Sequence, residues 1–130
     1  MINSDFLEHT GFHGSEVVVM RVAGENVQIV FENVAADVDG NEYYRVKLDL
    51  GGAYRMTRDG QVVHALQTEG EGSSVIQFER SGDTATLVLD WRHYAAKRSE
   101  TRAYETHYRT FSMEYEKQDR FIVERAAEHP

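Results

Sequence analysis

Glycine punctuates this chain. It falls at Gly24, Gly40, Gly51-Gly52, Gly60, Gly70, Gly72 and Gly82, and the stretches between are rich in Val, Ile, Leu, Tyr and Phe. Turn residues spaced at roughly ten-residue intervals between β-prone runs are the pattern of an antiparallel all-β domain. Glu16 to Val22 reads as a strand buried on nearly both faces, because Val17-Val18-Val19-Met20 is unbroken by polar residues. Val27, Ile29 and Phe31 share one phase of the next run. In Tyr43 to Leu50 the residues Tyr44, Val46, Leu48 and Leu50 alternate with Arg45, Lys47 and Asp49, the pattern of a half-exposed sheet.

Each turn has its own chemistry. Asp39-Gly40 and Asp59-Gly60 predict tight hairpin turns, since glycine and its acidic neighbour tolerate positive φ. Gly51-Gly52 predicts a bulge or sharp bend before Tyr54-Arg55-Met56 continues as strand. Short connections throughout favour a meander of successive hairpins, forming a β-sandwich or flattened barrel of about eight strands in one domain, 1–130. Residues 1–13 read as an irregular N-terminal segment, and 117–130 as a short terminal helix or tail.

After Gly82 the glycines stop. Ala95 to Glu100 has the propensity of a helical turn, and Thr101 to Tyr115 reads as a long strand, dense in Thr, Tyr, Phe and Met. Pairing Trp91 with Tyr104 sets Leu89 against Thr106 and Leu87 against Tyr108, and so gathers an apolar and aromatic set on one face. Phe111, Met113 and Tyr115 have the opposite parity, which a bulge near Arg109–Thr110 would reconcile.

Composition narrows the function classes. The chain has 130 residues, the size of one domain, and no cysteine, so disulfides, thiolate metal sites and cysteine nucleophiles are excluded. The absence of disulfides, together with a start that lacks a basic, apolar leader pattern, predicts a cytoplasmic protein. Its longest apolar run, Val17 to Met20, is far short of a membrane span, so no membrane partner is expected. A formal charge of −8 repels phosphate backbones, which argues against nucleic acid and steers the chain towards basic proteins.

Among six histidines there is no metal-ligand motif. His9 and His13 are four apart, but Gly11 between them favours a turn over a helical pair. No residue is assigned a catalytic role, no metal site is expected, and no cofactor is expected. Ser73-Ser74 and Ser15 lack the surroundings of a nucleophile elbow, and Gly70-Glu71-Gly72 lacks the lysine and helix of a phosphate loop.

Two sets of residues remain as candidates. His64 is in phase with Val62 and Leu66, and His93 with Leu89 and Trp91. Lone inward histidines are usually hydrogen-bonded core residues. The sharper reading has His64, Trp91, His93 and Tyr104 lining the mouth of a ligand pocket. On the opposite face of the last hairpin, Asp90, Arg92, Glu105, His107 and Arg109 form a polar set, with Asp90 expected across from Glu105. Such ladders are normally solvated surface. The alternative is a partner-binding patch.

The opening Phe12-His13-Gly14-Ser15-Glu16-Val17, followed by regular hairpins, resembles a class of small bacterial all-β proteins of unknown function. Their first strand follows a Phe-His-Asp-Ser motif. Asp90-Trp91-x-x-Tyr94 and Thr101-Arg102-x-Tyr104 are similar in spacing. Gly14 stands where that class has aspartate, so any role of that carboxylate is absent. Some of these proteins look like immunity or toxin-neutralising partners, and the resemblance implies binding rather than catalysis. The sequence therefore points to a non-enzymatic binding module that engages a protein partner or a second copy of itself. Its alternative is a small-molecule-binding barrel or enzyme with a His/Tyr/Trp-lined pocket.

Overall fold

A computed structural model describes residues 11–35 and 42–118, and within them the chain forms nine strands. The Asp39-Gly40 turn, residues 1–10 and all but the first two residues of the 117–130 segment lie outside the described residues. In chain order the strands are β1 (Glu16–Ala23), β2 (Asn26–Ala35), β3 (Tyr43–Gly51), β4 (Arg55–Arg58), β5 (Gln61–Val63), β6 (Gly72–Ser81), β7 (Thr84–His93), β8 (Arg98–His107) and β9 (Thr110–Lys117). They build two antiparallel sheets packed as a sandwich, ordered β1-β2-β3-β9 and β5-β4-β8-β7-β6. The all-β, sandwich-like architecture read from the glycine rhythm is the one observed.

Turn chemistry explains the hairpins. Asp59 and Gly60 both take positive φ, 52° and 83°, as a two-residue turn of mirror-image type requires. The β7–β8 turn has no glycine, and Lys97 takes the left-handed conformation instead, at φ 50°. That four-residue turn starts β8 at Arg98, where the sequence reading expected a helical turn.

The tight turn also sets a register different from the expected one. Trp91 pairs with Glu100, Leu89 with Arg102 and Leu87 with Tyr104. Trp91 is therefore not opposite Tyr104, and Asp90 faces Thr101 rather than Glu105. The expected register maximised apolar pairs, whereas the real one places charged Glu100 and Arg102 on the inward face beside Trp91 and Leu89. The first half of β8 carries polar groups inward because the β5–β6 loop brings polar groups to meet it, as described below.

The two sheets share one ribbon. β3 pairs with β9 in the first sheet, and their continuations β4 and β8 pair in the second. The chain turns the corner at Gly51-Gly52 on one strand and Tyr108-Arg109 on the other. Hydrogen bonds continue through the bend, from Arg109 N–H to the Gly51 carbonyl (2.9 Å) and from Tyr54 N–H to the His107 carbonyl (3.0 Å). Both irregularities expected from the sequence are thus two sides of a single corner, where strands switch sheets. Gly52 sits at φ 62°, and a Cβ there would lie 3.0 Å from the Arg109 side chain.

At the opposite side β1 and β6 are stitched together without a regular ladder. Val75 N–H donates to the Ser15 carbonyl and Gly14 N–H to the Val75 carbonyl, both at 2.8 Å. The Ser73 hydroxyl accepts from Val17 N–H (2.7 Å) and donates to the Val17 carbonyl (3.0 Å). This clasp coincides with a register shift between Val17 and Val19. As a result Val17 and Met20 are buried while Val18 is 36% exposed, so β1 is buried on one face only and not on both.

The core between the sheets holds the phases expected for β2 and β3: Val27, Ile29, Phe31, Val46, Leu48 and Leu50 are all buried. Phe12, Phe31 and Phe78 meet with ring centroids 4.7–5.2 Å apart. Phe12 enters from a turn in which the Ser15 hydroxyl donates to its carbonyl (2.6 Å). Gly14 holds φ 81° in that turn, a backbone shape that glycine takes without steric cost.

Replacing Gly52 by alanine forces a Cβ into the left-handed region at the corner. We expect a loss of about 1–2 kcal/mol, read as a lower urea midpoint with an unchanged m-value. An unchanged midpoint would show that the bend does not depend on glycine.

Candidate functional site

The outward face of the four-stranded sheet carries a groove of about 400 Å³. Strand alternation dictates its lining. Because Val46, Leu48 and Leu50 point inward, Arg45, Lys47 and Asp49 point outward. Cross-strand pairing then aligns two rows. Arg21, Gln28, Asp49 and Ser112 form one, and Val19, Val30, Lys47 and Glu114 the other. Val19 and Val30 supply an apolar floor, and charged side chains surround it.

Two irregularities shape this face. One is the register shift in β1 at Val18. The other lies in β2, where the pairing shifts between Phe31 and Val34, and Asn33 adopts φ 61°. Bulges bend a strand and increase its twist. The second bulge is pinned by Gln118, whose side chain accepts from Asn33 N–H (2.6 Å) and donates to the Asn33 side-chain oxygen (3.1 Å).

Within the groove the Arg21 Nε donates to Gln28 (2.9 Å), and the Gln28 amide reaches Asp49 (3.4 Å). Arg21, Arg45 and Lys47 make no ion pair among the described residues. The Arg45 Nε is shut off from solvent and has no hydrogen-bond partner among the described residues. A buried, unsatisfied donor costs about 1–3 kcal/mol.

The sequence-derived ligand set is only partly brought together. Trp91 and Tyr104 meet in the interior, where the indole Nε1–H donates to the Tyr104 hydroxyl (2.6 Å). The Tyr104 hydroxyl in turn donates to Glu69, whose carboxylate is gripped by Arg58 Nε and Nη2 at 2.7–3.0 Å. Glu69 and Arg58 were missed by sequence reasoning, because a loop and a short strand supply them and no spacing links them to the hairpin. His64 is exposed just beyond β5. His93, at the end of β7 opposite Arg98, is half-buried and its Nε2 lacks a hydrogen-bond partner among the described residues.

This chain of polar groups plugs one end of the sandwich. Leu66 is buried in the core, the Thr68 hydroxyl accepts from Met20 N–H (3.3 Å), and Glu71 N–H reaches the Arg92 carbonyl (2.9 Å). Burial by itself would raise the Glu69 carboxyl, but hydrogen bonds from Arg58 and Tyr104 outweigh it and hold the group below its ordinary value. Burial, with the adjacent carboxylate, pushes the Tyr104 phenol up. Arg102 extends the network through Glu100 (2.7 Å) and Asp59 (3.5 Å). Trp91 and Tyr104 are 1% and 2% exposed, so they close a core and line no open mouth.

The sequence-derived polar set divides in two. Asp90 and Arg92 lie near the β7–β8 turn, where Asp90 accepts from Thr101 (2.5 Å). Glu105, His107 and Arg109 lie at the other end. There the His107 ring contacts Glu105 through Nε2 (2.7 Å) and Thr84 through Nδ1 (3.3 Å). Tyr54 joins this second group: its hydroxyl donates to Asp83 (2.7 Å), and Arg109 lies over its ring at 5.2 Å. The hydrogen bond from Tyr54 holds the Asp83 carboxyl below its usual range. Among the described residues no group of three or more His, Asp or Glu is placed to hold a metal ion, and no helix is long and apolar enough to cross a membrane.

No protein-family model, curated protein or solved structure matches this chain. Its functional reading therefore rests on its own geometry. Of the surfaces described, the groove combines concavity, apolar floor and unpaired cations.

Two outcomes test the interior network. Tyr104→Phe strands the Trp91 indole N–H and removes one donor from Glu69, at an expected cost of about 1–3 kcal/mol in urea unfolding followed by the fluorescence of the single tryptophan. Because the folded Glu69 carboxyl is held down, its contribution is complete above the unfolded value of about 4.3 and fades as pH falls through the folded value. Glu69→Gln should accordingly flatten the acid limb of the stability–pH curve, and an unaltered limb would contradict the assignment.

Proposed function

We propose that the protein is a non-enzymatic cytoplasmic binding module that engages a protein partner through the groove on the outward face of its four-stranded sheet. The observation that carries this reading is a groove of about 400 Å³ lined by Arg21, Arg45 and Lys47, none of which forms an ion pair among the described residues. An apolar floor ringed by charged side chains resembles the core-and-rim anatomy of protein interfaces. Arginine suits the role because its planar fork binds carboxylates and backbone oxygens with defined geometry.

The net charge of −8 favours long-range approach of basic proteins. At contact, screening over about 8 Å in physiological salt hands control to the local charges. Those of the groove are three cations, Arg21, Arg45 and Lys47, against Asp49 and Glu114. The binding-rather-than-catalysis expectation from the opening motif agrees with this reading. A pocket built from His64, Trp91, His93 and Tyr104 finds less support, since two of the four fill the core.

Site-specific photocrosslinking in the source cells tests the proposal. A photoreactive residue at Ser112, within the groove, should yield one discrete adduct that Val30→Glu abolishes. The same residue at Ser99, on the other sheet, should not. The adduct is identified by mass spectrometry, and its purified partner should bind the intact chain and lose affinity for the Val30→Glu variant at least tenfold. Equal adducts from both positions, or none from Ser112, would overturn the reading.

A further inference from the structure

We infer that β9 is a pairing edge for a second copy of this chain, and that two copies join their four-stranded sheets antiparallel about a two-fold axis at Met113. Among the described residues β9 differs from the other sheet edges. β1 and β6 are clasped to each other, and each carries a register shift, between Val17 and Val19 and between Val75 and Gln77. β5 is only three residues long. Short, covered or bulged edges resist pairing with another chain. β9 has eight residues, pairs with β3 without a shift from Thr110 to Lys117, and has no strand beyond it among the described residues.

The inward face of β9 is also incomplete. Phe111, Met113 and Tyr115 stand opposite Leu50, Leu48 and Val46, and so point to the same side of the sheet. Those three β3 residues are at most 1% exposed, whereas Phe111 is 45% and Tyr115 40% exposed. The second sheet covers β3 and stops short of β9. Arg80 lies over the Phe111 ring at 3.6 Å, and the strip stays open beside it.

The backbone completes the edge. Gln118 N–H donates to the Tyr43 carbonyl (2.9 Å), so Tyr43 and Gln118 form a hydrogen-bonded pair. Such pairs alternate along an antiparallel ladder. Glu116, Glu114 and Ser112 therefore aim their backbone groups at β3, and Phe111, Met113 and Tyr115 aim theirs away from it. An axis at Met113 uses all three, giving about six backbone hydrogen bonds between the copies. Phe111 then faces Tyr115 of the second copy, Ser112 faces Glu114, and Thr110 faces Glu116. Aromatic pairs opposite each other stabilise a sheet, and like charges opposite each other destabilise it.

Neighbouring registers are poorer. An axis at Glu114 sets that carboxylate against itself, and one at Ser112 keeps two of the three hydrogen-bonded pairs. Lys47 and Arg45 stand opposite Glu114 and Glu116 on β3, and offset the carboxylates that the axis brings near each other. A self-complementary patch repeated on both subunits is what a two-fold dimer requires. This joint leaves the outward face of both sheets open, so it is independent of the groove.

Sedimentation equilibrium of the full chain from micromolar to millimolar concentration tests the inference. The mass should rise towards twice 14.9 kDa. Amide exchange followed by NMR should show Phe111, Met113 and Tyr115 protected only where the dimer is populated, and Ser112 and Glu114 protected throughout. Ser112→Glu sets a carboxylate opposite Glu114 twice per dimer and should weaken association about tenfold. Ser112→Lys, at the same solvent-facing position, should tighten it severalfold. Circular dichroism confirms that both variants are folded. A monomer at every concentration, or a dimer indifferent to both substitutions, would overturn the inference. So would protection of the Phe111, Met113 and Tyr115 amides at every concentration, the result expected if another segment of the same chain lay on this edge.

Discussion

A single two-stranded ribbon has to serve both sheets, and the rest of the structure is arranged around that constraint. β3 and β4 form one limb and β8 and β9 the other, with unbroken pairing from Tyr44–Lys117 to Gly51–Thr110 before the bend and from Arg55–His107 to Arg58–Tyr104 after it. A flat ribbon would hold all its strands in one layer and leave their apolar faces in water. The bend at Gly51-Gly52 and Tyr108-Arg109 folds the ribbon over on itself, so that Leu48 and Leu50 are buried in the same core as Leu87 and Leu89. Tyr108 secures the turn by donating its hydroxyl hydrogen bond to the Gly82 carbonyl at 3.0 Å.

Much of this was legible wherever turn residues carry their own geometry. Asp59-Gly60, Gly82-Asp83 and Gly51-Gly52 announce two hairpins and the corner, because few residues other than glycine take those backbone shapes readily. The alternation in β2 and β3 disclosed their inward faces. The β7–β8 register was not legible by the same means. Its turn uses Lys97 at positive φ without a glycine, and apolar matching favoured a pairing four residues away. What decides the register is the tight turn together with Glu69, which arrives from a distant loop and makes a polar inward face tolerable. A local pattern cannot display a partner that lies elsewhere in the chain.

The same reasoning separates the two polar regions of the molecule. Trp91, Tyr104, Glu69 and Arg58 are bonded to one another: the indole N–H, the phenol and two guanidinium nitrogens each have an acceptor, and the carboxylate lies among three donors. Such a network holds the end of the sandwich closed. The groove differs, because Arg21, Arg45 and Lys47 form no ion pair among the described residues. Its parts were visible in the sequence only as solvent-facing residues of β3. Bringing Arg21 and Val30 beside them required the registers of β1 and β2 and the two bulges that bend those strands. Sequence reasoning looked for function in the glycine-free hairpin, where aromatic residues and histidines gather, yet most of those groups are occupied with one another.

The shared ribbon also dictates an order of events during synthesis. β1, β2 and β3 can pair as soon as they leave the ribosome, but β3 then presents a bare edge until β9 is made, and β4 waits in the same way for β8. The Val17–Ser73 clasp joins residues 56 positions apart, so it too must wait while the middle of the chain is produced. Contacts this distant in sequence slow folding, because the intervening chain must be ordered before they form. The nascent chain therefore carries an exposed strand edge through most of its emergence. In that interval it is most open to pairing with a neighbouring chain, and there a chaperone would have most to protect.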